Sequence, residues 1–255
     1  MRSVVSILNR DPDLAEDLSD KQLVIARRDV VADVESYPRG PWAVGPDDFD
    51  QVANLGLLVV DGLLARHVTV ADHIGAELLG PGDVLQPWLR IGPEPSVATE
   101  VKWEVVEPMR AAVLDRAFCA RVTRWPEIPA AISRRVMLRA HWLAFHLAVC
   151  HLRRVDERLL LVLWHFADRW GTVTPDGVRL DLRLTHDLLA AVVGARRPSV
   201  SLAVRQLTAD GRLHSRPRSR WLLLGRPPEE LRKLHERSSS RRLVQGEPAV
   251  EGMNP

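Results

Sequence analysis

The sequence predicts an α+β chain, and three observations along its length predict it. Residues 184–224 read as a helix-turn-helix followed by a basic β-hairpin, residues 132–155 as one long helix with an apolar stripe, and residues 51–114 as short β-like runs broken by Gly, Pro and Asp. Apolar residues recur at steps of three and four in the first two stretches, which is helical spacing; in the third the turn residues favour strands, with strand against helix left open for its leucine-rich parts.

The stretch LTHDLLAAVVGARRPSVSLAVRQLTADGRLHSRPRSRWLLL begins at Leu184. Thr185 is a helix cap through its hydroxyl, and Leu188, Leu189, Val192 and Val193 give the helix after it a buried face. Gly194 ends that helix, because glycine takes the left-handed conformation that closes a helical turn. Arg196 and Arg197 lead into a second helix with Pro198 in its first turn. Its apolar stripe is Val200, Val204 and Leu207, which leaves Arg197, Ser199, Ser201, Leu202 and Arg205 on the outer side. Those are positions a recognition helix presents to a major groove. Asp210 and Gly211 stop the helix. RLHSRPRSRWLLL then forms two short strands around a turn at Pro217 and Ser219, with Arg216, Arg218 and Arg220 placed to lie against phosphates.

Charge points the same way. The chain of 255 residues carries a formal net charge of only +2, but thirteen Lys or Arg stand between Arg196 and Arg242 against four acids, whereas residues 1–110 hold nineteen acids and ten bases. Such asymmetry suits one domain that meets nucleic acid and another that does not. A winged-helix protein-interaction module docking an acidic surface is the alternative the same pattern allows.

As a whole pattern, LTHDLLAAVVGARRPSVSLAVRQLTADGRL resembles the DNA-binding half of the Crp/Fnr family of bacterial transcription regulators. That half reads T-x-x-x-L-A-x-x-x-G, then an R-x-T-V-S-R-like recognition helix, then L-x-x-x-G and a wing. Two positions depart from it: Pro198 stands where the family commonly has a base-reading glutamate, and Leu202 where it commonly has arginine. The resemblance implies Arg197 as a guanine reader, since a guanidinium fork engages O6 and N7 together, with Ser201 at a base or phosphate.

It also implies a β jelly roll of the cyclic-nucleotide-binding kind in the N-terminal half. LGLLVVDGLLARHVTV reads as two apolar segments pivoting at Asp61-Gly62, and the Gly80-Pro81-Gly82-Asp83 turn resembles the loop that precedes the family's ligand cassette. EVKWEVVEPMRAAVLD resembles the closing strands and the start of a helix. A metal-dependent cupin would share the jelly roll, but His67 and His73 are six residues apart, not at the H-x-H spacing that sends two imidazoles to one side of a strand. The cassette departs from the family most. Gln86 and Pro87 occupy the Gly-Glu places and Pro95-Ser96-Val97 the Arg-Ser-Ala places, so the ribose carboxylate and the phosphate-binding arginine are missing and cyclic AMP is not expected to bind.

In ISRRVMLRAHWLAFHLAVCHLRRV the stripe Val136, Ala140, Leu143, Leu147 and Cys150 should pack on a partner helix; in the resembling family this is the dimerisation helix. DERLLLVLWHFADRWG follows as the first helix of the DNA-binding half. His141, His146, Cys150 and His151 lack a matched carboxylate or cysteine cluster, and the iron–sulfur sensors' N-terminal cysteines are absent, since Cys119 is the first cysteine. No metal or other cofactor is expected, and the effector is unassigned. No apolar run reaches the ~18 residues of a membrane span, and no N-terminal signal segment is seen.

The expected organisation is a jelly-roll domain at 1–117, a helical linker and dimerisation helix at 118–155, a winged helix at 156–234 and a disordered tail at 235–255. The expected molecule is a cytoplasmic, non-enzymatic homodimer that binds double-stranded DNA at Thr185, Arg196, Arg197, Ser199, Ser201, Leu202, Arg205, Arg216, Arg218 and Arg220. RNA polymerase is a candidate further partner.

Overall fold

A computed structural model describes residues 3–43, 55–87, 96–217 and 220–228. The chain begins with β1 (Ser3–Ser6), α1 (Ile7–Arg10), a 3-10 turn at Pro12–Ala15 and α2 (Asp20–Asp29). Ser19 and Gln22 form a capping box at the start of α2. An antiparallel seven-stranded sheet then contains β2 (Val31–Tyr37), β3 (Gly40–Trp42), β4 (Gly56–Val70), β5 (His73–Leu79), β6 (Val84–Leu85) and β7 (Thr99–Leu114). Its main path is β1-β2-β7-β4-β5, with β3 on β7 and β6 on β4.

The pivot expected at Asp61-Gly62 is not a turn. The strand runs straight through it, and the chain reverses ten residues later at Ala71-Asp72, between paired Val70 and His73. The likeness to a turn had a physical origin, because Gly62 does adopt φ +91, but it serves an irregularity in the β4–β7 ladder between Val59 and Leu64. A Cβ on Gly62 would lie 2.3 Å from the Pro108 carbonyl oxygen, so the two backbones meet where proline has no N–H for the ladder. Between the pairs Leu57↔Val113 and Leu64↔Val105, seven steps along β4 oppose eight along β7. The shift changes which face each β4 side chain takes. Leu57, Val59 and Leu64 share the sheet's inner core with Val105, Met109 and Ala111, while Leu63 and Ala65 face outward. EVKWEVVEPMRAAVLD is one continuous strand rather than several.

Asp115 caps α3 (Arg116–Val122) by accepting from the Phe118 amide at 2.8 Å. Next come α4 (Glu127–Cys150), 24 residues and thus ~36 Å long at 1.5 Å per residue, and α5 (Val155–Trp170). The remaining elements are β8 (Thr172–Thr174), β9 (Gly177–Leu180), α6 (His186–Val193), α7 (Arg197–Ala209), β10 (Leu213–Arg216) and β11 (Arg220–Leu223). The strands form a four-stranded sheet in the order β10-β11-β9-β8. Its β8–β9 hairpin was not anticipated, although Pro175-Asp176-Gly177 is a turn signature.

The outward-facing Leu63, Ala65, Leu78 and Val106 of the first sheet join one buried cluster with α5, α6 and α7, so the two halves share apolar core. Polar contacts tie α4 to the first sheet. Arg139 on α4 grips buried Glu77 with two hydrogen bonds of 2.6 and 2.8 Å, and Arg66 reaches the same carboxylate at 2.9 Å. Among the described residues no helix is long and apolar enough to cross a membrane. The tail at 235–255 lies outside the described residues.

Candidate nucleic-acid interface

Local sequence builds the two-helix unit. Thr185 Oγ1 accepts from the Leu188 amide at 3.2 Å, and Gly194 closes α6 in the left-handed conformation, φ +61. The buried face of α6, including Leu188, Leu189, Val192 and Val193, meets Val200, Ala203, Val204 and Leu207 of α7. With that side of α7 consumed by the core, Arg196, Arg197, Pro198, Ser199, Leu202 and Arg205 are exposed on the other, Leu202 by 61%.

Not every expected contact residue lies free. Thr185 is occupied by its cap. Ser201 is half-buried, with its hydroxyl 2.9 Å from His186 Nδ1, and His186 stacks on Trp221. Trp221 in turn donates to the Leu184 carbonyl at 3.0 Å, so Ser201 belongs to a chain of contacts that fixes α7 against α6 and the wing. Arg197 Nε lies 3.3 Å from Asp187 Oδ1, both side chains being well exposed. An exposed pair of this kind contributes ~0–1 kcal/mol and does not hold the guanidinium back from a stronger anion.

In the wing, Arg216 and Arg220 pair across the β10–β11 hairpin, while Arg218 lies outside the described residues. Arg216 is exposed. Arg220 is turned inward, donating to the Asp181 carbonyl at 3.0 Å and lying 3.5 Å from Glu107. A groove of about 770 Å³ beside the hairpin is lined by Arg179, Asp181, Arg216, Pro217 and Arg220. Sequence reading missed Arg179, because it belongs to the unrecognised β9.

On α4, Val136, Ala140 and Leu147 are exposed and Leu143 is half-buried. Met137, exposed by 66%, joins them and was missed. Cys150 points to its own chain: its Sγ lies 3.8 Å from the Val192 carbonyl oxygen, and burial pushes the thiol pKa up. His146 faces inward too. Its ring meets that of His165 on α5 at 5.2 Å, within a group that includes Phe145 and Phe166. Burial lowers both pKa values, that of His165 to about 3, and the charges of Arg169 and the neighbouring histidines push it the same way. Among the described residues no group of three or more His, Cys, Asp or Glu is placed to hold a metal ion.

Comparison with known proteins agrees with this geometry. Residues 157–234 match the Crp-like helix-turn-helix domain. The chain is 29% identical over 165 residues to the regulatory protein CysR of Synechococcus elongatus, covering 63% of this chain and 69% of the relative. Its fold is similar to that of a CooA mutant from Carboxydothermus hydrogenoformans, with TM-score 0.58 and 21% identity over 80% of this chain and 87% of the other. It is similar also to a CRP/FNR-family transcriptional regulator from Thermus thermophilus, with TM-score 0.54 and 20% identity over 82% and 99% of the two chains. At those identities the solved structures speak to fold alone. A Crp-like helix-turn-helix with an exposed basic second helix, carried by an α+β fold shared with CRP/FNR regulators, makes this chain a DNA-binding transcription regulator of the Crp/Fnr type.

Proposed function

We propose that this regulator works as a homodimer whose two copies pack through α4 and place their α7 helices in successive major grooves, ~34 Å apart on one face of the duplex. The row Arg196, Arg197, Ser199, Leu202 and Arg205, exposed on a helix whose opposite side is core, carries the reading. Arg197 reads a base, while Arg196, Arg205 and the wing's Arg216 and Arg218 hold phosphates. Thr185 and Ser201 act by positioning, since both are engaged inside the two-helix unit. Val136, Met137, Ala140 and Leu147 supply the apolar face for the partner, with Leu143 at its margin.

The domain limits are 1–117, 118–155 and 156–234; the start of α5 at Val155 supports the second boundary, while the first falls inside α3 (Arg116–Val122). The protein acts in the cytoplasm without catalysis, and cyclic AMP does not control it. Gln86 and Pro87 leave no carboxylate for a ribose hydroxyl; Pro95, the third departure, lies outside the described residues. RNA polymerase is the partner through which bound protein would act on transcription. Selection from a random duplex pool, followed by footprinting, tests the reading. Enrichment of an inverted repeat protected on one face is expected, and failure to enrich any sequence over random DNA defeats it.

A further inference from the structure

The two halves of the chain leave a cleft of about 410 Å³ between them, lined by Arg39, Asp61, Glu107, Pro108, Arg183 and Arg220 among others. Arg39 comes from the turn between β2 and β3, Asp61 from β4 and Glu107 from β7, whereas Arg183 lies three residues before α6 and Arg220 opens β11. Its charges are not balanced. Asp61 is taken by Arg110, whose Nε donates to it at 2.7 Å. Glu107 accepts from the Arg183 backbone amide at 3.0 Å and faces Arg220 at 3.5 Å. Among the described residues, Arg39 and the Arg183 guanidinium have no carboxylate within ion-pair distance, and Arg183 Nε is buried with no hydrogen-bond partner. A buried donor without an acceptor costs free energy, and a guanidinium is matched best by a planar or tetrahedral oxyanion that takes two of its N–H groups.

We propose that this cleft binds a small oxyanionic metabolite with at least two negative charges, bridging Arg39 of the β domain to Arg183 of the DNA-binding domain. Its volume lies in the ordinary range for small-ligand sites. Because the anion touches both halves, it binds best when they are docked, and it biases the position of α6 and α7 by its preference for that arrangement. The site is separate from the exposed face of α7, so anion binding can be measured on DNA-free protein and fails or succeeds independently of the operator reading.

The experiment is calorimetric titration of the full chain at ~0.15 M salt, near physiological ionic strength, with inorganic pyrophosphate and, separately, citrate. These distinguish a phosphate from a carboxylate ligand. Saturable binding of either is expected, weakened at least tenfold by Arg183→Gln and by Arg39→Gln. Arg28→Gln, at an exposed position of α2 that does not line the cleft, should keep the wild-type affinity. Arg39 is exposed and its replacement leaves the domain junction intact, so the test stands even where Arg183→Gln folds poorly. Absence of binding by both anions at millimolar concentration overturns the proposal, as does binding that Arg28→Gln abolishes and the two cleft variants leave unchanged.

Discussion

Arg169 of α5 holds Asp83 of the Gly80–Asp83 turn, its Nη2 lying 2.6 and 2.7 Å from the two carboxylate oxygens. The guanidinium lies between the rings of Trp142 and Trp170, 3.8 and 3.9 Å from their centroids, while Asp83 is exposed by only 3% and also accepts from the Gly80 amide. Trp170 packs so closely on the turn that a Cβ on Gly80 would lie 2.8 Å from its ring. One pair therefore joins the turn that opens the cassette region to the first helix of the DNA-binding half.

Arg169→Ala should destabilise the chain by about 3–5 kcal/mol, because it leaves Asp83 buried without its counter-charge. Urea unfolding of Arg169→Ala, Asp83→Asn and the double variant measures it. The double variant should lose much less than the two single losses added together, since it leaves neither charge stranded; strict additivity would show that the pair is not coupled.

Arg197→Ala should cost about 1–3 kcal/mol at the selected operator and relax preference at one base pair per half-site. Binding to random duplex should fall much less. Equal losses on both DNAs would reassign Arg197 to a phosphate.

Leu147→Glu should shift the protein toward monomer, because the proposed interface would bury an unpaired carboxylate. The side chain is 64% exposed in the single chain, so the substitution should leave the melting temperature of the monomer nearly unchanged. Light scattering at micromolar concentration provides the check, and a wild-type monomer there would contradict the dimer.

Acid should weaken the α4–α5 packing through His165. In the fold its pKa is about 3 against an ordinary 6.5, so the unfolded chain binds the extra proton between those values. Stability from the buried neutral ring is thus complete above pH 6.5 and declines as pH falls toward 3, at up to about 1.4 kcal/mol per pH unit for one proton. Replacing the ring with His165→Phe should flatten that slope in melting experiments from pH 7 to 4.5; an unaltered slope would place the acid sensitivity elsewhere.

Cyclic AMP and cyclic GMP should show no calorimetric binding and leave DNA affinity unchanged, since a buried phosphate without the missing cationic partner is penalised by desolvation. Micromolar saturable binding would refute this.

The helix-turn-helix was legible in the sequence because its determinants are local. A threonine cap, a glycine in the left-handed conformation and two apolar stripes each act over ten residues or fewer, and all take their expected places in α6 and α7. The α4 stripe was legible for the same reason, but period alone does not say which neighbour covers each side. Cys150 went to its own α6, and Met137 took a place on the exposed side. Gly62 marks the limit of local reading. Its left-handed φ was predictable, but only the approach of Pro108, 46 positions away in sequence, makes it a ladder irregularity instead of a turn. Ser201 and Arg220 were read as free to meet DNA because exposure was inferred from helix and hairpin phase. Their partners His186, Asp181 and Glu107 come from other elements, and Glu107 from the other domain. Local backbone preferences and burial period are encoded residue by residue, whereas the pairing of charged and hydroxyl groups depends on which distant surfaces the fold brings within hydrogen-bond reach.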